Sequence, residues 1–156
     1  LKLKNRAYFF DHTSKDLTTY DSRRRSLYLP VVRNHVYNVF QLLDFPDPAV
    51  TSGDRATTVV ASQALLMLNS DIVMQAAGSF AERLIADLYN DDLRLTRLYA
   101  IAFGRLPTPD ERRADLAFLN RVEQAQSNEN TDMQRKKAWS TLCHVVLASN
   151  EFLYVR

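Results

Sequence analysis

The chain has 156 residues, which is enough for one domain with a sizeable core and too few to suggest two. Its three glycines and five prolines disfavour a turn-rich all-β fold and favour helices. The net charge of +2 excludes nucleic acid as a default partner, and the apolar runs fall short of a membrane span. The single cysteine excludes an internal disulfide, and the first residue, Leu1, leads us to expect a piece of a longer protein.

The N-terminal 32 residues differ from the rest of the chain. Residues 1–25 hold seven Lys and Arg against three Asp, so the N-terminal part of the chain is basic. Apolar runs at residues 7–10 and 26–29 have β-type composition and flank a polar stretch with turn-forming residues. We therefore predict an extended arm or a short β-type element over residues 1–32.

Residues 33–69 predict an irregular region with short helices. Asn34 is placed to cap a helix that carries Val36, Val39, Phe40 and Leu43. That helix must end before the D-F-P-D-P segment at residues 44–48, because each proline disfavours a helical conformation in the residue before it. We expect a connector over residues 49–58 and a second short helix over residues 63–68.

Residues 70–156 predict the helical core. Apolar residues at helical spacing follow Ser70 as far as Leu88, and a second such stripe runs from Leu95 to Phe103. Gly104 is placed to end that helix, and the T-P-D-E sequence at residues 108–111 predicts a capping box that starts the next one. A final helix begins at residue 131 or 132. The sequence thus predicts a mainly α, single-domain bundle of about five helices with the short β-type N-terminal element.

The polar residues of the irregular region form a candidate binding set, because binding groups often lie on loops held by a rigid scaffold. Arg24 and Arg25 of the basic N-terminal arm are added to it, and the full set consists of Arg24, Arg25, Arg33, Asn34, His35, Asp44, Asp47, Arg55, Gln63 and Asn69. Its arginines suit a polyanion or an anionic sugar, and Asp44, Asp47 and His35 suit acid–base chemistry. In the alternative interpretation, which we favour, these side chains satisfy the backbone of a long connector.

No standard catalytic or metal-binding motif is present. The three histidines show no zinc-ligand spacing, and Cys143 and His144 are adjacent, so they point about 100° apart on a helix. Cys143 falls on the apolar face of the last helix with Trp139, Leu142 and Val146, so we expect a buried structural thiol. We predict no catalytic residues and no metal ligands.

Several segments resemble one protein family. They are R-R-S-L-Y-L at residues 24–29, R-N at 33–34, D-F-P-D-P at 44–48, Q-A-L-L-M-L-N at 63–69, F-G-R at 103–105, P-T-P-D-E at 107–111 and S-N-E-F-L-Y at 149–154. Together they resemble the C-terminal domain-of-unknown-function family 1553 (DUF1553, PSD1-type) of planctomycete-type cytochrome c proteins. The chain departs from the family pattern at Ala61-Ser62, where proline is usual, and lacks the cysteine often found near Ser52.

The resemblance implies a structural or interaction module at the C-terminal end of an exported, multidomain bacterial protein. Its partners would be the other domains of the same longer chain. No cofactor is expected here, because the C-x-x-C-H motif for haem attachment is absent and any haem would belong to a separate cytochrome c domain. The alternatives are carbohydrate or polyanion binding through the basic N-terminal half, or a hydrolase-like site around Asp44, Asp47 and His35.

Overall fold

The computed structural model describes residues 25–29, 38–46, 60–125 and 130–154. All regular secondary structure in these ranges is helical. The chain divides into two compact units, Leu1–Gln63 and Ala64–Arg156, which are described separately below.

In the first unit, the predicted β-type run at residues 26–29 is wrong. Ser26–Tyr28 form a single 3-10 turn, in which the Tyr28 N–H donates to the Arg25 carbonyl at 2.9 Å and the Leu29 N–H to the Ser26 carbonyl at 3.0 Å. Such a turn satisfies the backbone groups of a short segment locally, without a partner strand. The rest of the predicted arm, residues 1–24 and 30–32, lies outside the described residues.

The described residues contain seven α-helices, where the sequence predicted about five. They are α1 (Asn38–Leu42), α2 (Val60–Asn69), α3 (Asp71–Asp87), α4 (Asp91–Ala102), α5 (Pro109–Gln124), α6 (Thr131–Leu147) and α7 (Asn150–Leu153). Helix α1 ends before Asp44 as predicted, whereas α2 begins at Val60, before the predicted start. Most of the predicted connector, residues 49–58, lies outside the described residues.

The core of the second unit forms where α3 crosses α6. Ala77, Ala81 and Leu84 of α3 are buried, and the small side chains of the two alanines let α6 approach closely. Trp139 of α6 is fully buried in this interface. Helices α4 and α5 complete the core, whose buried members are Ala77, Ala81, Leu84, Leu95, Leu98, Tyr99, Leu119, Ala138, Trp139, Leu142, Cys143 and Val146.

Helices α4 and α5 form the predicted hairpin. Gly104 follows α4 with φ = 70°, the left-handed conformation that glycine adopts without a Cβ penalty. The Thr108 side chain accepts a hydrogen bond from the Glu111 N–H, and the Glu111 carboxylate accepts one from the Thr108 N–H. The capping box predicted at residues 108–111 is therefore confirmed.

The C-terminal segment contains a helix that the sequence did not predict. Helix α6 ends at Leu147, and Ser149 then caps the one-turn helix α7 by accepting a hydrogen bond from the Phe152 N–H. A serine preceding a short run with an acidic residue in its first turn favours such a helix start. Residues 150–153 thus form a helix, and Glu151 lies within it.

Candidate functional site

Four of the predicted binding residues lie in the described part of the chain: Arg25, Asp44, Gln63 and Asn69. The other six lie outside it, so their placement remains a prediction; they are Arg24, Arg33, Asn34, His35, Asp47 and Arg55. The hydrolase-like trio accordingly has only Asp44 described.

Asp44 lies just beyond the C-terminal end of α1, in a backbone conformation that ends the helix. Its φ is 60°, which places it in the left-handed region. The Phe45 N–H donates to the Phe40 carbonyl at 2.8 Å, and the two phenyl rings stack with centroids 5.1 Å apart. This is the 6→1 hydrogen bond of a Schellman motif together with the apolar contact that often accompanies it, and the left-handed residue of that motif is usually Gly or Asn.

The three other described members of the predicted binding set are Arg25, Gln63 and Asn69. Arg25 is exposed, and its carbonyl caps the 3-10 turn. Asn69 ends α2, where its Nδ2 donates to the Leu65 carbonyl at 3.0 Å. Gln63 is half-buried in α2. For Asp44 and Asn69 the observed geometry is that of a helix end, which agrees with the structural interpretation of the polar set.

The most extensively bonded polar cluster in the second unit surrounds Arg105, a residue that sequence reasoning did not select. Its Nη1 and Nη2 donate to the two carboxylate oxygens of Glu111 at 2.8 and 2.6 Å. Its Nε and Nη2 donate to those of Glu151 at 2.6 and 2.8 Å. The remaining bond runs from Nη1 to the Leu106 carbonyl at 3.1 Å. A guanidinium has five N–H donors, so these five bonds use all of them.

The capping box fixes one side of this cluster. Glu111 accepts from the Thr108 N–H at 2.7 Å as well as from Arg105. These hydrogen bonds stabilise the ionised carboxylate, and they lower the pKa of Glu111 to about 2, with the Arg105 bond as the largest cause. The two carboxylates in turn raise the pKa of Arg105 above its usual range.

Aromatic rings form the floor of the cluster. The Arg105 guanidinium lies 5.3 Å from the Tyr99 ring centroid and 5.4 Å from that of Phe103. The Tyr99 hydroxyl donates to Asp115 at 2.9 Å. Burial is the first cause that raises the pKa of both Tyr99 and Asp115, so this pair sits in a less solvated layer than the ion pairs above it.

We call Arg105, Glu111 and Glu151 the Arg105 clasp. It joins three stretches of chain: the α4–α5 turn, the first turn of α5 and helix α7. The side chains are 35%, 33% and 48% exposed, so the clasp lies at the surface. Because every guanidinium N–H is already bonded within the chain, the clasp offers a ligand no free donor.

A second network holds the turn between α3 and α4. Arg94 is buried, and its Nε donates to the Leu88 carbonyl at 2.7 Å while its Nη1 donates to Asp91 at 2.8 Å. The other oxygen of Asp91 accepts from Arg135 of α6. Arg94 also lies 5.9 Å from the Trp139 ring centroid. These contacts satisfy a buried charge and are structural.

The predicted buried thiol is confirmed. Cys143 is fully buried, and burial raises its pKa to about 12, so it is not a reactive thiolate. The side chain of the adjacent His144 is directed toward α2, where its Nε2 lies 3.0 Å from the Met67 carbonyl oxygen. Among the described residues no group of three or more His, Cys, Asp or Glu is arranged to hold a metal ion.

A groove of about 520 Å³ lies along α5. It is lined by Pro107, Pro109, Arg112, Arg113 and Leu116. Both arginines pair with neighbouring acids: Arg112 with Asp92, and Arg113 with Asp110. The groove therefore presents an apolar floor with a rim of neutralised charges.

Comparison with known proteins places the chain in a family. The sequence model of PSD1, described as a protein of unknown function (DUF1553), matches residues 3–119. No curated protein and no solved structure matches the chain. Among the described residues, none of the helices combines the length and apolar content needed to cross a bilayer.

Proposed function

This chain belongs to the PSD1 family of proteins of unknown function (DUF1553), and on that premise we propose that it is a non-catalytic structural or interaction module of a longer protein. The Arg105 clasp carries this proposal. It joins residues of three segments that resemble the family, F-G-R, P-T-P-D-E and S-N-E-F-L-Y, of which the first two lie within the matched residues 3–119. Charged residues that bond to one another across three segments suit a role in holding the fold.

The geometry at Asp44 supports the same proposal. Asp44 is part of the D-F-P-D-P segment and belonged to the predicted binding set. Its left-handed backbone ends α1 and brings Phe45 against Phe40. A helix end of this kind accounts for the residue without a ligand or a reaction.

We further propose, from the family likeness, that the longer protein is exported and that other domains of the same chain are the partners of this module. Any haem would be held by a separate cytochrome c domain. Carbohydrate or polyanion binding through the basic N-terminal half is the competing function, and the experiment below includes it as an outcome.

Thermal denaturation of an Arg105→Ala variant tests the proposal. Loss of the guanidinium leaves Glu111 and Glu151 facing each other without a cation and uncovers two aromatic rings. We expect a loss of about 2 kcal/mol, scaled down for partial exposure, which corresponds to a melting temperature lower by roughly 4–8 °C.

Arg113→Ala is the matched control, because the Arg113–Asp110 pair is 79% and 87% exposed and contributes little. Both variants are also melted with dextran sulfate, a sulfated polysaccharide. A variant at Arg105 as stable as the wild type, together with a wild-type melting temperature raised by dextran sulfate, would replace the structural function by polyanion binding.

A further inference from the structure

The two halves of the Arg105 clasp are unequal. Glu111 lies six positions from Arg105 in sequence, whereas Glu151 lies 46 positions away. Glu111 is also bonded to the Thr108 N–H inside the capping box. Its position is therefore set by the hairpin itself and does not depend on α7.

The Glu151 half depends on a much weaker element. Helix α7 has four residues and no buried side chain. A single helical turn does not persist alone in water, because helix nucleation is unfavourable. Phe152 and Tyr154 are 37% and 43% exposed, so their packing is only partial. The bidentate bond to Arg105 adds to this packing and is the contact that ties α7 to the α4–α5 hairpin.

We propose that α7 is a releasable latch, which undocks as a unit when the Arg105–Glu151 bond opens while α3, α4, α5 and α6 stay folded. The proposal rests on the structural role of the Arg105 clasp given above. Release frees Arg105 Nε and one N–H of Nη2 from Glu151 but leaves the bidentate bond to Glu111 in place. The latch is thus a local opening at the low-stability end of the fold.

Three backbone hydrogen bonds report the state of the latch. The N–H groups of Phe152 and Leu153 donate to the Ser149 carbonyl at 3.2 Å, and that of Tyr154 donates to the Asn150 carbonyl at 2.9 Å. All three break when α7 uncoils. Amide hydrogen exchange at these residues therefore measures undocking, and exchange in α3 and α6 measures global unfolding.

Glu151→Gln removes the charge and keeps the shape of the side chain. We expect amide exchange at Phe152, Leu153 and Tyr154 to accelerate roughly 3- to 10-fold, because an exposed, charge-assisted bidentate pair is lost. Exchange in α3 and α6 should stay within twofold of the wild type. In the wild type, raising the salt from 0.05 to 0.5 M should also accelerate exchange in α7, and the variant should lose most of this salt response.

Glu82→Gln is the matched control, since Glu82 forms an exposed ion pair with Lys136 far from α7 in sequence. It should leave exchange in α7 unchanged. Unaltered exchange in α7 of the Glu151→Gln variant would overturn the latch. Faster exchange throughout α3 and α6 would overturn it as well, because Glu151 would then support the whole fold. Either result leaves the Arg105→Ala melting experiment to decide the proposed function separately.

Discussion

Asp44 illustrates how a single backbone angle separates a structural role from a functional one. A carboxylate between a short helix and two prolines suits a binding site as well as a helix end. Its φ of 60° and the Phe45–Phe40 hydrogen bond belong to a helix end. An L-residue in the left-handed region costs about 1–2 kcal/mol, although aspartate tolerates it better than most.

Substitutions at Asp44 should therefore follow backbone preference. Asp44→Ala is expected to weaken α1 by about 1 kcal/mol, and Asp44→Gly to strengthen it by about 0.5 kcal/mol, because glycine has no Cβ to strain. The opening free energy of the Phe45 N–H, measured by amide exchange, reports both changes.

The change in stability on Asp44→Ala distinguishes a helix end from a buried ion pair and from a ligand-binding carboxylate. Removal of one partner of a buried ion pair would cost about 3–5 kcal/mol. A purely ligand-binding carboxylate would show no loss at all on substitution by alanine. An alanine variant with protection equal to the wild type, or a glycine variant with weaker protection, would contradict the role at the helix end.

Arg105 is a residue whose structural role was not predicted from the sequence. Its neighbours Phe103 and Gly104 were selected as helix-ending residues, and Glu111 as part of a capping box. The link to Glu151 spans 46 positions, and no local spacing encodes such a contact. The one signal available was that Arg105, Glu111 and Glu151 all lie in segments that resemble the family.

At the scale of elements, the α4–α5 hairpin was the most predictable part of the fold. Its stripe of apolar residues, its terminal glycine and its capping box are all local signals, and each was confirmed. The α7 helix and the 3-10 turn at residues 26–28 were missed, because elements of three or four residues carry no periodicity.

The two glycines in this part of the fold should respond to alanine in opposite directions. At Gly104, with φ = 70°, alanine is strained and should cost about 1 kcal/mol. Gly78 lies within α3, and a Cβ built there meets Ser140 Oγ at 3.7 Å, which is ordinary contact. Gly78→Ala should therefore stabilise the domain by roughly 0.5–1 kcal/mol through helix propensity.

Urea denaturation of the two alanine variants measures both changes under one set of conditions. The midpoint should fall for Gly104→Ala and rise for Gly78→Ala. A lower midpoint for Gly78→Ala would mean that the α3–α6 crossing cannot accept a methyl group, and an unchanged midpoint for Gly104→Ala would contradict the left-handed helix end.

At the scale of the whole molecule, the folded core of the second unit extends beyond the family match. The match ends at residue 119, within α5, while α6 supplies Trp139, Leu142, Cys143 and Val146 to the core. The S-N-E-F-L-Y segment at residues 149–154 also lies beyond it and closes the Arg105 clasp through Glu151. The helices of this unit therefore depend on residues on both sides of that boundary.

The arrangement of the predicted binding set could not be predicted from the sequence, and the reason is physical. The sequence predicts irregular structure for most of its members, and in such segments the conformation of each residue depends on contacts with distant parts of the chain. Periodicity places side chains on the faces of α3 to α6 and gives no such guide for a connector.

The central claim, that the Arg105 clasp holds the fold, is tested most directly by a double-mutant cycle. Arg105→Ala, Glu111→Ala and the double variant are compared with the wild type in urea denaturation. We predict a coupling energy of about 1 kcal/mol or more, because the two side chains share a bidentate bond that either single substitution removes. A coupling energy within about 0.3 kcal/mol of zero would contradict the claim, since the two residues would then act independently.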